Sequence, residues 1–204
     1  MNAAGPTPSY RVARFVLAGL TKTLWRLRVS GREYVPARGP LIVAANHLSY
    51  LDPPVLGVAC PRALAYMAKE ELFRVPILGP MIRSFGAYPV DRRGSAASAI
   101  KRSLEVLEAG GAVGIFPEGT RNRDGSARPQ EGLALLASWS GAPVVPAAIV
   151  GTDRALRFPR FVVVFGEPLA LPVGRKATRE ELAKFTMDVM GAIRALAEKA
   201  RGDT

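Results

Sequence analysis

The sequence predicts a single α/β domain, a sheet covered by helices. Short apolar runs rich in β-branched residues, bounded by Gly or Pro, alternate along the chain with helical patterns. The length of 204 residues suits one domain, and a hydrophobic content of 49% is enough to fill a sizeable core. There is neither an internal repeat nor a low-complexity stretch to suggest another architecture.

In order along the chain, residues 1–9 read as a tail. Tyr10 to about Leu24 reads as a basic amphipathic helix, with Val12, Phe15, Val16, Leu20 and Leu24 at helical spacing and Arg11, Arg14 and Lys22 interleaved. Such a helix either lies in a lipid interface, with Trp25 near the boundary, or packs on the domain. Residues 1–26 are thus set apart as a tail and interfacial helix, and 27–204 form the domain. Strands are expected at Leu27–Tyr34, Pro40–Ala45, Ala65–Ala68, Ala87–Val90, Ala112–Phe116, Val144–Val150 and Phe161–Phe165. Helices are expected at Pro53–Ala59, Pro76–Phe85, Ser95–Ala109 and Glu131–Ser140, with Ser95 as a cap and Gly110–Gly111 as a stop. Thr178 and Glu181 form a capping box for a last helix striped with Leu182, Phe185, Val189, Ile193 and Leu196. Pro146 inside an apolar run predicts a bulge or a pocket wall.

Charge narrows the function. A balance of +11, from 28 Lys and Arg against 17 Asp and Glu, favours anionic partners: phosphorylated substrates, acidic headgroups or nucleic acid. Sparse aromatics argue against nucleic acid, and a non-catalytic basic binding protein has only the charge in its favour. Cys60 and His47 are each the sole residue of their type, so neither an intrachain disulfide nor a His-rich metal centre is expected. No cofactor is predicted. The apolar stretch Phe15–Thr21 is bounded by Arg14 and Lys22, too short to span a bilayer and unlike a signal peptide. A cytosolic protein is expected.

Two constellations carry chemistry, each directly after an apolar strand, where α/β folds place their sites. The first is Asn46-His47-Leu-Ser49-Tyr50-Leu-Asp52-Pro53. A neutral imidazole can take a proton from an alcohol as it attacks a carbonyl, and a carboxylate on its other nitrogen fixes the tautomer. Residues five apart on an ideal helix point about 140° away from each other, so His47 and Asp52 meet only if the chain turns before the helix begins. Alternatively, Asp52 is a helix cap ahead of Pro53 and His47 a structural hydrogen-bonder. The second is Phe116-Pro-Glu118-Gly119-Thr120-Arg121. Gly119 permits a tight turn, Arg121 can grip a phosphate through two parallel hydrogen bonds, and Glu118 can accept from a substrate hydroxyl or hold Arg121. Standing alone, the segment also reads as a polar surface turn. The absence of a G-x-S-x-G elbow, a Walker loop and a G-x-G-x-x-G turn favours direct transfer between two bound substrates.

Together with Gly86 through Arg92 and Val145-Pro146-Ala147, these segments form four ordered blocks that resemble the glycerolipid acyltransferase family, of the 1-acyl-glycerol-3-phosphate acyltransferase type. The resemblance covers about residues 40 to 150. It implies a mixed, mostly parallel sheet flanked by helices, with an N-terminal amphipathic membrane-anchoring helix. It implies catalytic roles for His47 as general base and Asp52 as its orienting partner. Arg121 would bind the acceptor phosphate in a substrate site shared with Glu118, Gly119 and Thr120, and Lys69 and Arg92 would add positive charge. The implied partners are a lysophospholipid acceptor, an acyl-CoA or acyl carrier protein thioester donor, and the cytoplasmic face of the cell membrane. The implied product is phosphatidate; glycerol 3-phosphate, another lysophospholipid or an amino-acid lipid are alternative acceptors. Two positions depart from the family pattern: Pro89, which predicts an irregular strand, and Asn122, where Ser is usual.

Overall fold

A computed structural model describes residues 7–76, 78–84, 86–90, 96–122, 125–172 and 177–202. Seven strands form one sheet in the order β1-β7-β6-β2-β5-β3-β4: β1 Arg28–Ser30, β2 Leu41–Ala45, β3 Leu64–Lys69, β4 Ala87–Val90, β5 Ala112–Ile115, β6 Val144–Val150 and β7 Val162–Phe165. The run β6-β2-β5-β3-β4 is parallel, and β7 pairs antiparallel with β6. The helices are α1 Pro8–Leu24, α2 Asp52–Ala59, α3 Leu78–Ser84, α4 Ala96–Glu108, α5 Gly132–Ser140 and α6 Arg179–Gly202.

The period-two alternation of β2 divides the core. Leu41, Val43 and Ala45 face one cluster with Val55, Leu56 and Ala59 of α2. Ile42 and Ala44 face the other, with Leu107 of α4, Leu133 and Leu136 of α5, and Phe185, Val189 and Ile193 of α6. Both faces of the central strands are therefore covered, which is why they read as continuous apolar runs. The α6 capping box closes as expected: Thr178 N donates to Glu181 Oε2 at 2.8 Å and Glu181 N to Thr178 Oγ1 at 3.2 Å.

Several local expectations change. The helix α1 begins at Pro8, capped by Thr7, whose Oγ1 accepts from Tyr10 N. The long first strand is cut to Arg28–Ser30 because Gly31 turns left-handed at φ +74°, and a 3-10 turn over Arg32–Tyr34 follows. A Cβ at Gly31 would overlap the Phe165 carbonyl, so only glycine fits there. Pro146 causes no bulge. Its missing N–H falls just past the last β6–β7 pair, Ala147 with Phe165, and its carbonyl accepts from Gly166 N at 2.8 Å. Pro89 is likewise paired in register, opposite Ala68, and β4 is an edge strand where a proline is tolerated. Two 3-10 segments, Glu70–Arg74 and Thr152–Arg157, went unpredicted. Ser95 and Phe85 lie outside the described residues.

Helix α1 packs on the domain through one face. Tyr10, Ala13, Leu17 and Ala18 of α1 pack with Val58, Leu27 and Ala63, and Arg14 Nη2 donates to Cys60 O at 2.7 Å. The opposite face of α1 exposes Val12, Phe15, Val16, Leu20 and Leu24, with Phe15 81% accessible. A row of apolar side chains on α1 thus points outward, unlike the polar outer face of an ordinary surface helix. Among the described residues no helix is long and apolar enough to cross a membrane.

Candidate active site

The parallel strands β6, β2 and β5 are adjacent and end at the same edge of the sheet. From that edge the chain delivers His47 after β2, Phe116 to Asn122 after β5, and Thr152 after β6. Motifs about seventy residues apart meet there because their strands are neighbours.

The turn demanded by the His47–Asp52 spacing is present. Asp52 is the first residue of α2, with no side-chain cap at Leu51. Its carboxylate reaches back: Oδ2 lies 2.9 Å from His47 Nδ1 and accepts from Leu48 N at 2.5 Å and Ser49 N at 2.7 Å. The helix-cap alternative gives way: Leu51 holds the N-cap position, and Asp52 accepts from Leu48 N and Ser49 N ahead of the helix instead of from its first N–H groups. The second oxygen, Oδ1, accepts from Thr152 Oγ1 at 2.5 Å. Asp52 is fully buried, and four donors converge on it. With Nδ1 committed to Asp52, Nε2 is the nitrogen left to face a substrate.

The backbone of His47 is pinned from both sides by the β5 segment. His47 N donates to Glu118 Oε2 at 2.8 Å, and His47 O accepts from Asn122 N at 2.7 Å. Phe116 stacks on the imidazole, ring centroids 4.4 Å apart. Glu118 is buried, and its second oxygen accepts from Asn122 Nδ2 at 3.0 Å. Each carboxylate oxygen thus has a partner within the protein, which fixes Glu118 beside His47. Gly119 turns left-handed at φ +65°, and a Cβ there would overlap the Gln130 side chain.

Thr120 and Arg121 are exposed, and the Arg121 guanidinium lies 3.8 Å from the centroid of the Tyr50 ring. The site is layered by depth: Asp52, Glu118, Asn122 and Thr152 are buried around His47, while Tyr50, Thr120 and Arg121 are exposed. Lys69 is the last residue of β3, on the same edge of the sheet; Arg92 lies outside the described residues.

Sequence reasoning missed several positioning residues. Asn46 extends the β2–β6 pairing by its side chain, Nδ2 donating to Ile149 O at 2.9 Å and Oδ1 accepting from Ile149 N at 2.8 Å. Asn122 is the joint between the two constellations, although it entered only as a departure from a family pattern. For Thr152 there was no local signal, since its partner lies 100 residues away.

The family model described as Acyltransferase matches residues 26–150. The 1-acyl-sn-glycerol-3-phosphate acyltransferase of Bacillus subtilis (strain 168) is 32% identical over 178 residues, 85% of this chain and 89% of that protein. The lyso-ornithine lipid O-acyltransferase of Pseudomonas aeruginosa is 36% identical over 143 residues, 68% of this chain and 53% of that protein. Among solved structures, the 1-acyl-sn-glycerophosphate acyltransferase PlsC from Thermotoga maritima superposes with a TM-score of 0.68 at 27% identity, covering 96% of this chain and 84% of that one. Its likeness supports the mixed, mostly parallel sheet flanked by helices. The chain belongs to the acyltransferase family typified by the 1-acyl-sn-glycerol-3-phosphate acyltransferases, and it is an acyltransferase enzyme.

Proposed function

We propose that the enzyme moves a fatty acyl group from an acyl thioester, of coenzyme A or acyl carrier protein, to the free hydroxyl of 1-acyl-glycerol 3-phosphate, giving phosphatidate. The observation that carries this reading is His47, held through Nδ1 by buried Asp52 with Nε2 left for a substrate. Nε2 takes the proton of the acceptor hydroxyl as its oxygen attacks the thioester carbonyl. The C–S bond then breaks, and the leaving thiolate takes the proton from the imidazolium. Asp52 fixes the tautomer and stabilises that imidazolium. Rim residue Arg121 binds the acceptor phosphate, and Lys69 and Arg92 add positive charge. The exposed apolar row of α1, flanked by Arg11 and Lys22, lies in the cytoplasmic membrane surface, where the lysolipid resides.

A transfer assay with purified protein, acyl thioester and a panel of acceptors tests this. His47→Ala is expected to abolish turnover; Arg121→Ala is expected to raise KM for lysophosphatidate more than it lowers kcat. Normal turnover by the His47 variant refutes the mechanism. The relative named for lyso-ornithine lipid motivates a second reading, in which the acceptor is an amino-acid lipid. Preferred use of a phosphate-free acceptor would decide for it and remove the role given to Arg121.

A further inference from the structure

We propose that the turn between β6 and β7 is a second lipid-contact element, a Leu156–Phe158 knob ringed by arginines that enters an anionic membrane surface beside the end of α1. This rests on the membrane-surface reading of α1 given above.

Leu156 is 95% accessible, the most exposed of the large apolar side chains described, and Phe158 is 53% accessible. Two large apolar groups at the tip of one turn gain nothing from water. The backbone is bent to present them. Phe158 and Arg26 are the only non-glycine residues at positive φ among the described residues, at +50° and +46°, a region bulky side chains rarely adopt. These two unusual residues are neighbours, with Arg26 Nη2 3.5 Å from Phe158 O. The bend lays the Phe158 ring on Trp25, centroids 5.8 Å apart, and Trp25 Nε1 donates to Ala155 O at 2.8 Å. Trp25 directly follows Leu24, the last member of the outward apolar row of α1. The knob therefore continues that row across the Trp25 bridge.

Charge selects the partner. Arg154, Arg157 and Arg26 are exposed around the knob, while Asp153 is the sole acidic residue from 152 to 160 and faces Arg154 at 3.6 Å. Apolar tips within a cationic ring fit a surface with acidic headgroups above acyl chains. The same turn begins at Thr152, whose hydroxyl holds Asp52. Seating it in lipid brings the edge of the sheet that bears His47 toward the surface holding the acceptor.

Leu156→Ser tests the knob; the side chain is too exposed to support the fold, which circular dichroism checks. Binding to mixed phosphatidylglycerol–phosphatidylcholine vesicles should weaken about tenfold, the loss of one partly inserted leucine. Arg154→Gln and Arg157→Gln should each weaken it about fivefold on these vesicles and leave binding to phosphatidylcholine alone unchanged. In Leu156→Trp, fluorescence beyond that of Trp25 and Trp139 should be quenched by vesicles with brominated acyl chains. Wild-type binding that Leu156→Ser leaves intact, with no quenching in Leu156→Trp, overturns the inference alone. Leucine-dependent self-association in lipid-free buffer would overturn it too, marking a protein contact. Failure of the wild-type protein to bind any vesicle overturns the membrane reading of α1 along with it.

Discussion

Asp52→Asn is the substitution on which the proposed mechanism makes its sharpest demand. In a Ser-His-Asp triad the same change costs about 10⁴ in kcat, because the amide leaves the histidine in the wrong tautomer. Here the surroundings forbid that error. Leu48 N and Ser49 N both donate to Oδ2 at 2.5 and 2.7 Å, so an NH₂ group at that position would face two N–H groups. At the Oδ1 position it would meet Thr152 Oγ1, a hydroxyl that can turn and accept. The amide oxygen is thus directed to His47, and Nδ1 keeps its proton. What disappears is the negative charge opposite the imidazolium. At about 4 Å and an effective dielectric of about 20 that attraction is about 4 kcal/mol, of which the amide dipole keeps part. A loss of about 3 kcal/mol lowers kcat about 10²-fold. Steady-state transfer from thioester to lysophosphatidate gives the rate. Because His47 is the only histidine, ¹⁵N NMR of histidine-labelled protein reads its tautomer without assignment. An unchanged kcat would refute the role of Asp52. A loss near 10⁴ with the proton on Nε2 would refute the argument from the two backbone donors.

Three further substitutions probe the scaffold. Thr152→Val removes the buried hydrogen bond to Asp52 and should cost about 1.5–3 kcal/mol of stability, seen by calorimetry as a Tm lower by roughly 5 °C, with Thr152→Ser largely restoring it. Asn122→Ala strips partners from Glu118 Oε1 and Ala127 N, so urea unfolding should register a loss of about 2–3 kcal/mol and kcat should fall with it; a drop in neither would show that His47 needs no such clamp. Gly114→Ala pushes a methyl into the Tyr66 ring and should cost about 1–3 kcal/mol, which Tyr66→Phe cannot rescue because the clash is with ring carbons. Tyr66→Phe by itself should raise Tm, since the Tyr66 hydroxyl is buried with no hydrogen-bond partner among the described residues.

Where patterning and local chemistry agreed, the sequence was read correctly. Val144–Val150 is uniformly apolar because its neighbours β2 and β7 and helix α6 leave it no solvent, and its ends match the prediction. Leu27–Tyr34 looked equally strand-like and failed at Gly31, where the approach of Phe165 from a strand distant in sequence decides the backbone. The site divides the same way. His47 and Asp52 lie five residues apart, so a single local turn could be demanded in advance. The contacts of Glu118 with His47 N and Asn122 become visible only once β5 lies beside β2. Thr152 has no signature at all, being one hydroxyl after a strand that carries no motif residue.

That dependence on strand adjacency bears on how the reaction is organised. The segments after three parallel strands together restrain His47: Asp52, after β2, holds Nδ1; Glu118 and Asn122, after β5, hold its backbone; and Thr152, after β6, holds Asp52. A histidine fixed at its backbone N and O, its Nδ1 and one ring face retains little freedom. Under the proposed mechanism this explains why the rim is built differently. Arg121 is exposed and rests on the Tyr50 ring, a contact it can leave or share when a phosphate arrives. A buried, already paired arginine would have to exchange one partner for another; a stacked one keeps its fork of donors free. The enzyme would therefore tolerate variation in the headgroup at its rim while holding the chemistry below constant. Relatives named for a phosphate-bearing acceptor and for an ornithine lipid fit that division. Acceptor choice should then respond to substitutions at Tyr50 and Arg121 and stay indifferent to those at Asn122 or Thr152, which change the rate on every acceptor alike.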